Sequence, residues 1–385
     1  MKVAFLSVFA FDANISLINA LKDQCDVYFF TEALHQIYNY IDKDQLQKRI
    51  TEGNDVEQIQ RFGDLIDLNK TFVIKGTKNS DLFRKMYNSY KIDAELKKIK
   101  PDVIIIDNIT LTYVWSAIRL RKKALLIVHD PFQHSGEEFI IEKYLRKLFF
   151  RLISHKIILN NSQKDKFIKE CGQNEKYIHS SFLSVYTYLT YYHKNIHSET
   201  SSPEFNILFF GRISPYKGIR FLLETFISML SSEKIQNMTL TIAGSGDFDF
   251  DINEYKSHPD IKIINTFVSP EDLSLLIAQS SVVVCPYTDA TQSGVVMSAF
   301  AFKKPVIATN VGGLPEMVEH GKTGIIIEKN NKKDLQDALL SLYTHPEKLD
   351  SMRANIEQEY FCGNKSWKHS AELFLEAIQS IRQEN

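Results

Sequence analysis

The run Phe209-Phe210-Gly211-Arg212-Ile213-Ser214-Pro215-Tyr216-Lys217-Gly218 puts two cations, Arg212 and Lys217, on a turn between an apolar strand and a segment of helical pattern. Gly211 supplies the turn, and a helix N-terminus already favours anions through its unpaired N–H groups and its dipole. Two cations at that place make a diphosphate clamp. In isolation an Arg-x4-Lys spacing reads as two solvated surface cations; its position after a strand decides for an anion site. A second turn, Ala243-Gly244-Ser245-Gly246-Asp247, follows another apolar run, and Gly244 and Gly246 would let a backbone approach a ligand closely. A third, Thr291-Gln292-Ser293-Gly294-Val295, enters a small-residue helix that contains Ser298. Free amides at Ser293, Gly294 and Val295 are expected to hold phosphate or sugar hydroxyls.

The elements that must position these turns are legible as short β-branched runs. In the first half they are Val3–Val8, Val27–Phe30, Val103–Ile106, Ala124–Val128 and Lys156–Leu159, with helical periodicity at Ile15–Leu21 and Leu145–Ile153 between them. Near-continuous apolar strands alternating with helices signal a parallel sheet covered on both faces. The pattern restarts with Ile207–Phe210, Leu240–Ala243, Ile261–Ile264, Val282–Cys285, Val306–Ala308 and Gly324–Ile327. Ser269-Pro270-Glu271-Asp272 is a helix start with a capping serine. The expected organisation is α/β: a Rossmann-like domain over 1–195 with a mostly helical insert at about 34–100, a polar linker at 196–206, a second Rossmann-like domain over 207–365, and a closing helix within 366–385. Ligands of such sheets bind at the carboxyl ends of the strands, which places the expected site in a cleft between the two domains.

The 385 residues exceed one ordinary core, and 44% apolar with 24% charged residues is an ordinary globular composition. With 46 basic against 47 acidic side chains, no global field draws the molecule to nucleic acid. Cys25, Cys171, Cys285 and Cys362 are scattered without metal-ligand spacing and are expected to be reduced thiols. The first apolar run is too short for a signal-peptide core, and no window reaches the roughly 20 apolar residues of a bilayer span. The expectation is a cytoplasmic protein. GxSxG, Walker and HExxH patterns are absent from the sequence, which removes support for serine hydrolase, P-loop and zincin chemistry.

The ordered set FGRISPYKG, AGSGD, PED-L and SGVVMSAFAFKKPVIATNVGGLPEMVEHGKTGIII resembles the glycosyltransferase family 4 enzymes of the GT-B fold, across the second domain and more faintly the first. The resemblance implies two Rossmann-like doubly wound domains facing a cleft. It also implies metal-independent transfer of a sugar from a nucleotide diphosphate sugar, UDP- or GDP-linked, with retention of anomeric configuration and no cofactor. Arg212 and Lys217 would neutralise the leaving diphosphate. His129, in Leu125-Leu126-Ile127-Val128-His129-Asp130, matches the family's cleft histidine that contacts the donor sugar and the reacting phosphate. Donor binding would fall to Gly211, Gly244, Gly246, Thr291, Gln292, Ser293, Gly294, Val295 and Ser298. The family's Glu-x7-Glu is missing, its two positions being Ala290 and Ser298, so this chain resembles a sub-group with an Ala-Thr-Gln-Ser-Gly-Val turn.

In place of the family's Gly-Gly loop stands Phe9-Ala10-Phe11-Asp12-Ala13-Asn14, where Asp12 and Asn14 could meet donor or acceptor hydroxyls. Asp12 could equally cap a helix beginning near Ile15. His134 and Glu137 are expected in a loop facing the acceptor; Pro131 breaks any helix that would align His129 with His134 for a metal. Asp247-Phe248-Asp249-Phe250-Asp251 looks like the DxD metal motif of the other large glycosyltransferase fold but follows the wrong strand, and is expected to be a solvated loop. Residues 142–156 combine five basic with six large apolar side chains, which fits either a helix packed on its own sheet or a peripheral contact with the inner face of the cell membrane and a lipid-linked acceptor. A glycan is the other expected acceptor. A nucleotide-sugar epimerase and a non-catalytic sugar-nucleotide-binding subunit are the competing functions.

Overall fold

The computed structural model describes the chain apart from residues 9–10, 34–40, 78–80, 130, 133–139, 194–203, 233–234 and 385. Contacts divide it into two units, Met1–Leu183 with Trp367–Asn385, and Ser184–Ser366.

The first unit is built on eight strands: β1 (Lys2–Ser7), β2 (Asp26–Ala33), β3 (Ile50–Glu52), β4 (Thr71–Lys75), β5 (Val103–Ile106), β6 (Ala124–Val128), β7 (His155–Ile158) and β8 (Ile178–Ser180). Their order is β3-β4-β2-β1-β5-β6-β7-β8, parallel except for β3 against β4. The strands β5, β6 and β7 are buried along their whole length, which makes β5 and β6 unbroken apolar runs in the sequence, whereas β7 opens on the buried polar pair His155 and Lys156. Strand order reverses at β1, which pairs with β2 on one side and β5 on the other. The helices Leu82–Ile99, Val114–Arg119 and Ile140–Leu152 are crossovers running in one direction along the sheet, so right-handed connection places them on one face. Phe11–Leu21 and the final helix Trp367–Gln383 pack together on the opposite face. The final helix buries Trp367, Ala371, Phe374, Ile378 and Ile381, and Ser370 Oγ lies 2.9 Å from Ser181 Oγ.

The second unit carries β9 (Phe205–Phe210), β10 (Met238–Ala243), β11 (Ile261–Ile264), β12 (Val282–Cys285), β13 (Val306–Thr309) and β14 (Gly324–Ile327), all parallel in the order β11-β10-β9-β12-β13-β14. The reversal here is at β9, between β10 and β12. Ser269 caps the helix Pro270–Gln279, its Oγ accepting from Asp272 N at 3.1 Å, as its sequence motif predicts.

Three expectations change. The insert at 34–100 is not mostly helical: residues 71–75 add a strand beside β2 and residues 50–52 the edge strand beyond it, joined by short 3-10 turns, before the helix Leu82–Ile99. The division between units falls at Leu183/Ser184, because Ser184–His193 packs with the second unit: Ser184 Oγ donates to Lys365 O at 2.6 Å and Tyr186 N to Met297 O at 3.2 Å. The expected linker at 196–206 lies mostly outside the described residues. Finally, the first helix starts at Phe11, so Asp12 sits in its first turn and does not cap a helix at Ile15.

Candidate functional site

At the reversal point of the first sheet, the carboxyl ends of β1, β5 and β6 bring together Ser7, Asp107 and His129. Asp107 is buried, and its Oδ1 lies 2.6 Å from His129 Nε2. Its Oδ2 accepts from Ser7 Oγ at 2.7 Å and from Asn14 Nδ2 at 2.9 Å, and Asn14 Nδ2 also donates to Ser7 Oγ at 2.7 Å. Burial alone would raise the Asp107 pKa; the His129 charge and the three hydrogen bonds outweigh it and hold the carboxyl below its ordinary value. The carboxylate therefore fixes His129 with Nε2–H turned inward, while the ring keeps 27% of its surface exposed. Tyr113 OH donates to Ser7 O at 2.6 Å, and burial pushes that phenol well above its usual pKa.

Asn14 is thus a support of Asp107 and not a group offered to an acceptor: it is 3% exposed, with its amide nitrogen committed to Asp107 and Ser7. The Asp12 side chain, His134 and Glu137 lie outside the described residues. Asp107 is the residue that sequence reasoning missed. The signal was present, a lone carboxylate directly after the four apolar residues of β5, next to the first strand of the sheet.

At the reversal point of the second sheet, Gly211 to Gly218 leave β9. Arg212 is exposed and its Nη2 lies 3.4 Å from Tyr216 OH. Lys217 ends a short 3-10 turn, Pro215–Lys217, ahead of the helix Ile219–Ser232. Its Nζ stands 3.6 Å from the centroid of the Tyr287 ring and 5.0 Å from that of Tyr216. An ammonium over an aromatic face is attracted by the ring quadrupole, which places Lys217 without a carboxylate. Burial lowers the Lys217 pKa, partly opposed by Tyr216. The Tyr216 phenol is pushed up by burial, but Arg212 and Lys217 outweigh that and lower it. Tyr287 is fully buried after β12 and Thr309 Oγ1 donates to its carbonyl at 2.6 Å. Gly218 has φ +67°, and a Cβ there would lie 2.0 Å from Pro286 O, so only glycine lets this turn close on the strand end that carries Tyr287.

Gly244 and Gly246 have a different reason from the one their motif suggests. A Cβ on Gly244 would lie 1.8 Å from Gly211 O and one on Gly246 2.2 Å from Ile213 O. The two glycines let the turn after β10 lie flat against the Arg212 turn, an arrangement sealed by Ile213 N donating to Ser245 O at 2.9 Å. They build the wall of the site by packing backbone on backbone. Ser293 also faces inward: its N–H donates to Met317 Sδ at 3.4 Å and its Oγ to Tyr287 OH at 3.5 Å. That leaves Gly294 and Val295 as the half-buried first residues of the helix Gly294–Ala301, with amides beyond the reach of intrahelical acceptors. Thr291 and Gln292 are half-buried on the turn before it, and Ser298 is only 6% exposed within the helix. Tyr186, from the segment at the unit boundary, stands over Gly294, where a Cβ would meet its Cε2 at 3.0 Å. Cys285 is buried beneath Tyr287, its thiol pushed up to about 11 by burial, so it is no nucleophile. Asp247, Asp249 and Asp251 are exposed, and Asp251 Oδ1 accepts from Asn253 N at 2.9 Å. Among the described residues no group of three or more His, Cys, Asp or Glu is placed to hold a metal ion.

Solved structures of the same architecture cover the whole chain. Anabaena HepE in complex with UDP and glucose superposes with a TM-score of 0.68 at 15% identity, over 99% of this chain and all of that one. The UDP-GlcNAc 2-epimerase of Neisseria meningitidis bound to UDP-GlcNAc superposes at 0.60 and 16% identity, over 99% of this chain and all of that one. The fold is GT-B. Within this GT-B chain the family described as "Glycosyl transferases group 1" matches residues 204–345, the stretch that holds the Arg212 and Lys217 turn. The D-inositol 3-phosphate glycosyltransferase of Pseudarthrobacter chlorophenolicus is 29% identical over 182 residues, 46% of this chain and 43% of that protein. An uncharacterised glycosyltransferase of Methanocaldococcus jannaschii is 26% identical over 314 residues, 78% of this chain and 82% of that protein. The alignments to the first curated relatives span only 40 to 44% of those relatives' length.

Proposed function

We propose that the protein is a retaining, metal-independent glycosyltransferase that moves a sugar from a UDP- or GDP-linked donor to a glycan or lipid-linked acceptor in surface polysaccharide or glycolipid synthesis, at the cytoplasmic side of the membrane. The observation that carries this reading is the pair Arg212 and Lys217 on one glycine-packed turn at the reversal point of the second sheet. Similarity over 204–345 to glycosyltransferases supports it.

In this reading Arg212, Lys217 and the Gly294 and Val295 amides hold the donor diphosphate. Negative charge grows on that diphosphate as the anomeric carbon departs, so cations fixed before the reaction lower the barrier. The acceptor hydroxyl attacks from the face that the diphosphate leaves, and its proton passes to the departing phosphate oxygen. His129, held by Asp107, donates or accepts a hydrogen bond at a sugar hydroxyl and positions it. With the diphosphate met by protein cations, EDTA leaves turnover unchanged and Asp249→Ala has wild-type rate.

The test is incubation with UDP- and GDP-sugars, with and without an acceptor extract, followed by proton NMR of the anomeric signal. Transfer or slow donor hydrolysis with the donor's configuration kept is the expected result. An inverted product removes the retaining mechanism, an epimerised sugar, free or still nucleotide-linked, establishes the epimerase, and nucleotide-sugar binding without any turnover establishes a non-catalytic subunit.

A further inference from the structure

Ten large apolar side chains stand exposed among the described residues, and eight of them lie on three neighbouring helices of the first unit. On Leu82–Ile99, Phe83, Tyr87 and Tyr90 recur at i, i+4 and i+7 and so share a face, Phe83 with 91% of its surface accessible. Val114–Arg119 adds Trp115, and Ile140–Leu152 adds Tyr144 and Leu148 one turn apart. All three are crossover helices on the same face of the sheet. The first two are tied by Arg119 Nε at 2.6 Å from Asp93 Oδ1, and the second packs on the third. Their inner sides are accounted for by the core: Ile92, Leu96, Ala117, Phe149, Phe150 and Ile153 are buried there. The exposed aromatics are a separate, outward set.

The same layer concentrates positive charge. Residues 81–99, 114–123 and 140–152 hold thirteen Lys and Arg against four Asp and Glu, on a chain whose formal net charge is −1. Three of those acids are already engaged, Asp81 with Arg84, Asp93 with Arg119 and Lys97, and Glu95 with Lys98. Lys143, Lys147 and Arg151 form a stripe at i, i+4 and i+8 beside Tyr144 and Leu148. A second copy of the chain would bring two such positive layers together, which repels. Aromatic and aliphatic side chains standing among an excess of cations match the boundary of an anionic bilayer, where rings and leucine enter the headgroup region and lysines meet lipid phosphate.

We infer that this three-helix layer docks the protein on an anionic lipid bilayer. The surface differs from the one the sequence suggests at 142–156, because Phe149, Phe150 and Ile153 are core residues and Lys156 is buried, its Nζ donating to Ile153 O at 2.6 Å. No helix among the described residues is long and apolar enough to cross a membrane, so the contact is peripheral. The inference does not depend on the reaction proposed above.

The experiment is co-sedimentation of the full chain with vesicles of phosphatidylcholine alone or with about a third phosphatidylglycerol, at about 0.1 M and 1 M salt, where screening shortens to about 3 Å. The expected result is binding to the anionic vesicles at low salt, release at 1 M, and at least fivefold weaker binding for Phe83→Ser/Trp115→Ser and for Lys143→Glu/Lys147→Glu. Phe267→Ser, at an exposed aromatic of the second unit, binds as wild type. All these sites are exposed, so unchanged thermal melts confirm folding. Equal recovery in the supernatant with both vesicles overturns the inference. So does binding that the layer variants leave intact, or a dimer in light scattering that Phe83→Ser/Trp115→Ser dissociates, which would make the face a self-interface.

Discussion

The two sheets reverse their strand order in the same way, yet the residues at the two reversal points are held by opposite means. In the first unit a carboxylate, Asp107, is sunk below the strand ends and held by Ser7 and Asn14, and it presents an imidazole. In the second unit two cations are presented, Lys217 resting on the face of Tyr287, on a turn whose shape comes from Gly218, Gly244 and Gly246 packing against backbone carbonyls. One site is placed by buried charge, the other by close backbone approach. The first should therefore fail when a charge is removed, and the second when a methyl group is added.

The largest expected effect is on the first unit. Asp107→Ala strands the donors of Ser7 and Asn14 and the His129 ring, and should lower stability by about 3 to 5 kcal/mol in urea unfolding, as removal of one member of a buried pair does. Asp107→Asn keeps the shape and should cost less. Because the folded pKa of Asp107 lies below its unfolded value, its contribution is present above about pH 4 and is lost as pH falls through the folded pKa. The wild type should thus lose stability on acidification in that window and Asp107→Asn should lose less. A wild-type urea midpoint for Asp107→Ala would mean that the buried network carries nothing.

Next in size is the second unit's chemistry. Lys217→Ala and Arg212→Ala should each lower kcat ten- to a hundredfold, about 1.4 to 3 kcal/mol of transition-state stabilisation, with melting temperatures close to wild type. Gly218→Ala comes third. It forces a Cβ onto Pro286 O at positive φ and should cost about 1 to 2 kcal/mol of stability while moving Lys217, so that turnover falls although no functional side chain has changed. Normal kcat in Gly218→Ala would break the proposed dependence of the second site on backbone packing.

The smallest effect separates the units by pH. His155 Nδ1 lies 3.1 Å from His179 Nε2, with His155 Nε2 3.3 Å from Glu384 Oε2, just past the end of the final helix. Burial, and then the neighbouring His155, lower His179 to about 4, and burial lowers His155 against the opposing pull of Glu384. The unfolded chain therefore binds more protons between about pH 6.5 and 4, and stability should fall as pH drops through that range. His179→Asn should flatten the fall, by on the order of 1 kcal/mol once solvent screening is allowed for. A midpoint that drops equally between pH 7 and 5 in His179→Asn and wild type would assign the pH dependence elsewhere.

The same contrast explains what could be seen in the sequence. Central strands such as Val103–Ile106 and Val282–Cys285 are buried on both faces, and continuous burial writes itself as an apolar run. Ile50–Glu52, at the sheet edge, and Thr71–Lys75, next to it, escaped because short strands with polar residues at their ends look like helical insert. Arg212 and Lys217 were legible because their turn is local in sequence. Asp107 was legible only as a carboxylate closing an apolar run and not in its role, because its partners Ser7, Asn14 and His129 come from distant segments and only the sheet order makes them neighbours. Gly244 and Gly246 were legible as glycines but not in their purpose, since the carbonyls they accommodate, those of Gly211 and Ile213, belong to the neighbouring turn. The packing of Ser184–His193 with the second unit was hidden by a tyrosine-rich stretch without apolar period.

The central claim is that the Arg212 and Lys217 turn binds a nucleoside diphosphate, and calorimetric titration of UDP, GDP and the bare nucleosides uridine and guanosine into the full chain tests it most directly. The account predicts that one diphosphate binds at least tenfold more tightly than its nucleoside, a difference of about 1.4 kcal/mol or more, and that Lys217→Ala and Arg212→Ala each erase most of that difference while leaving the nucleoside's affinity alone. Diphosphate binding of wild-type strength in both variants would contradict it.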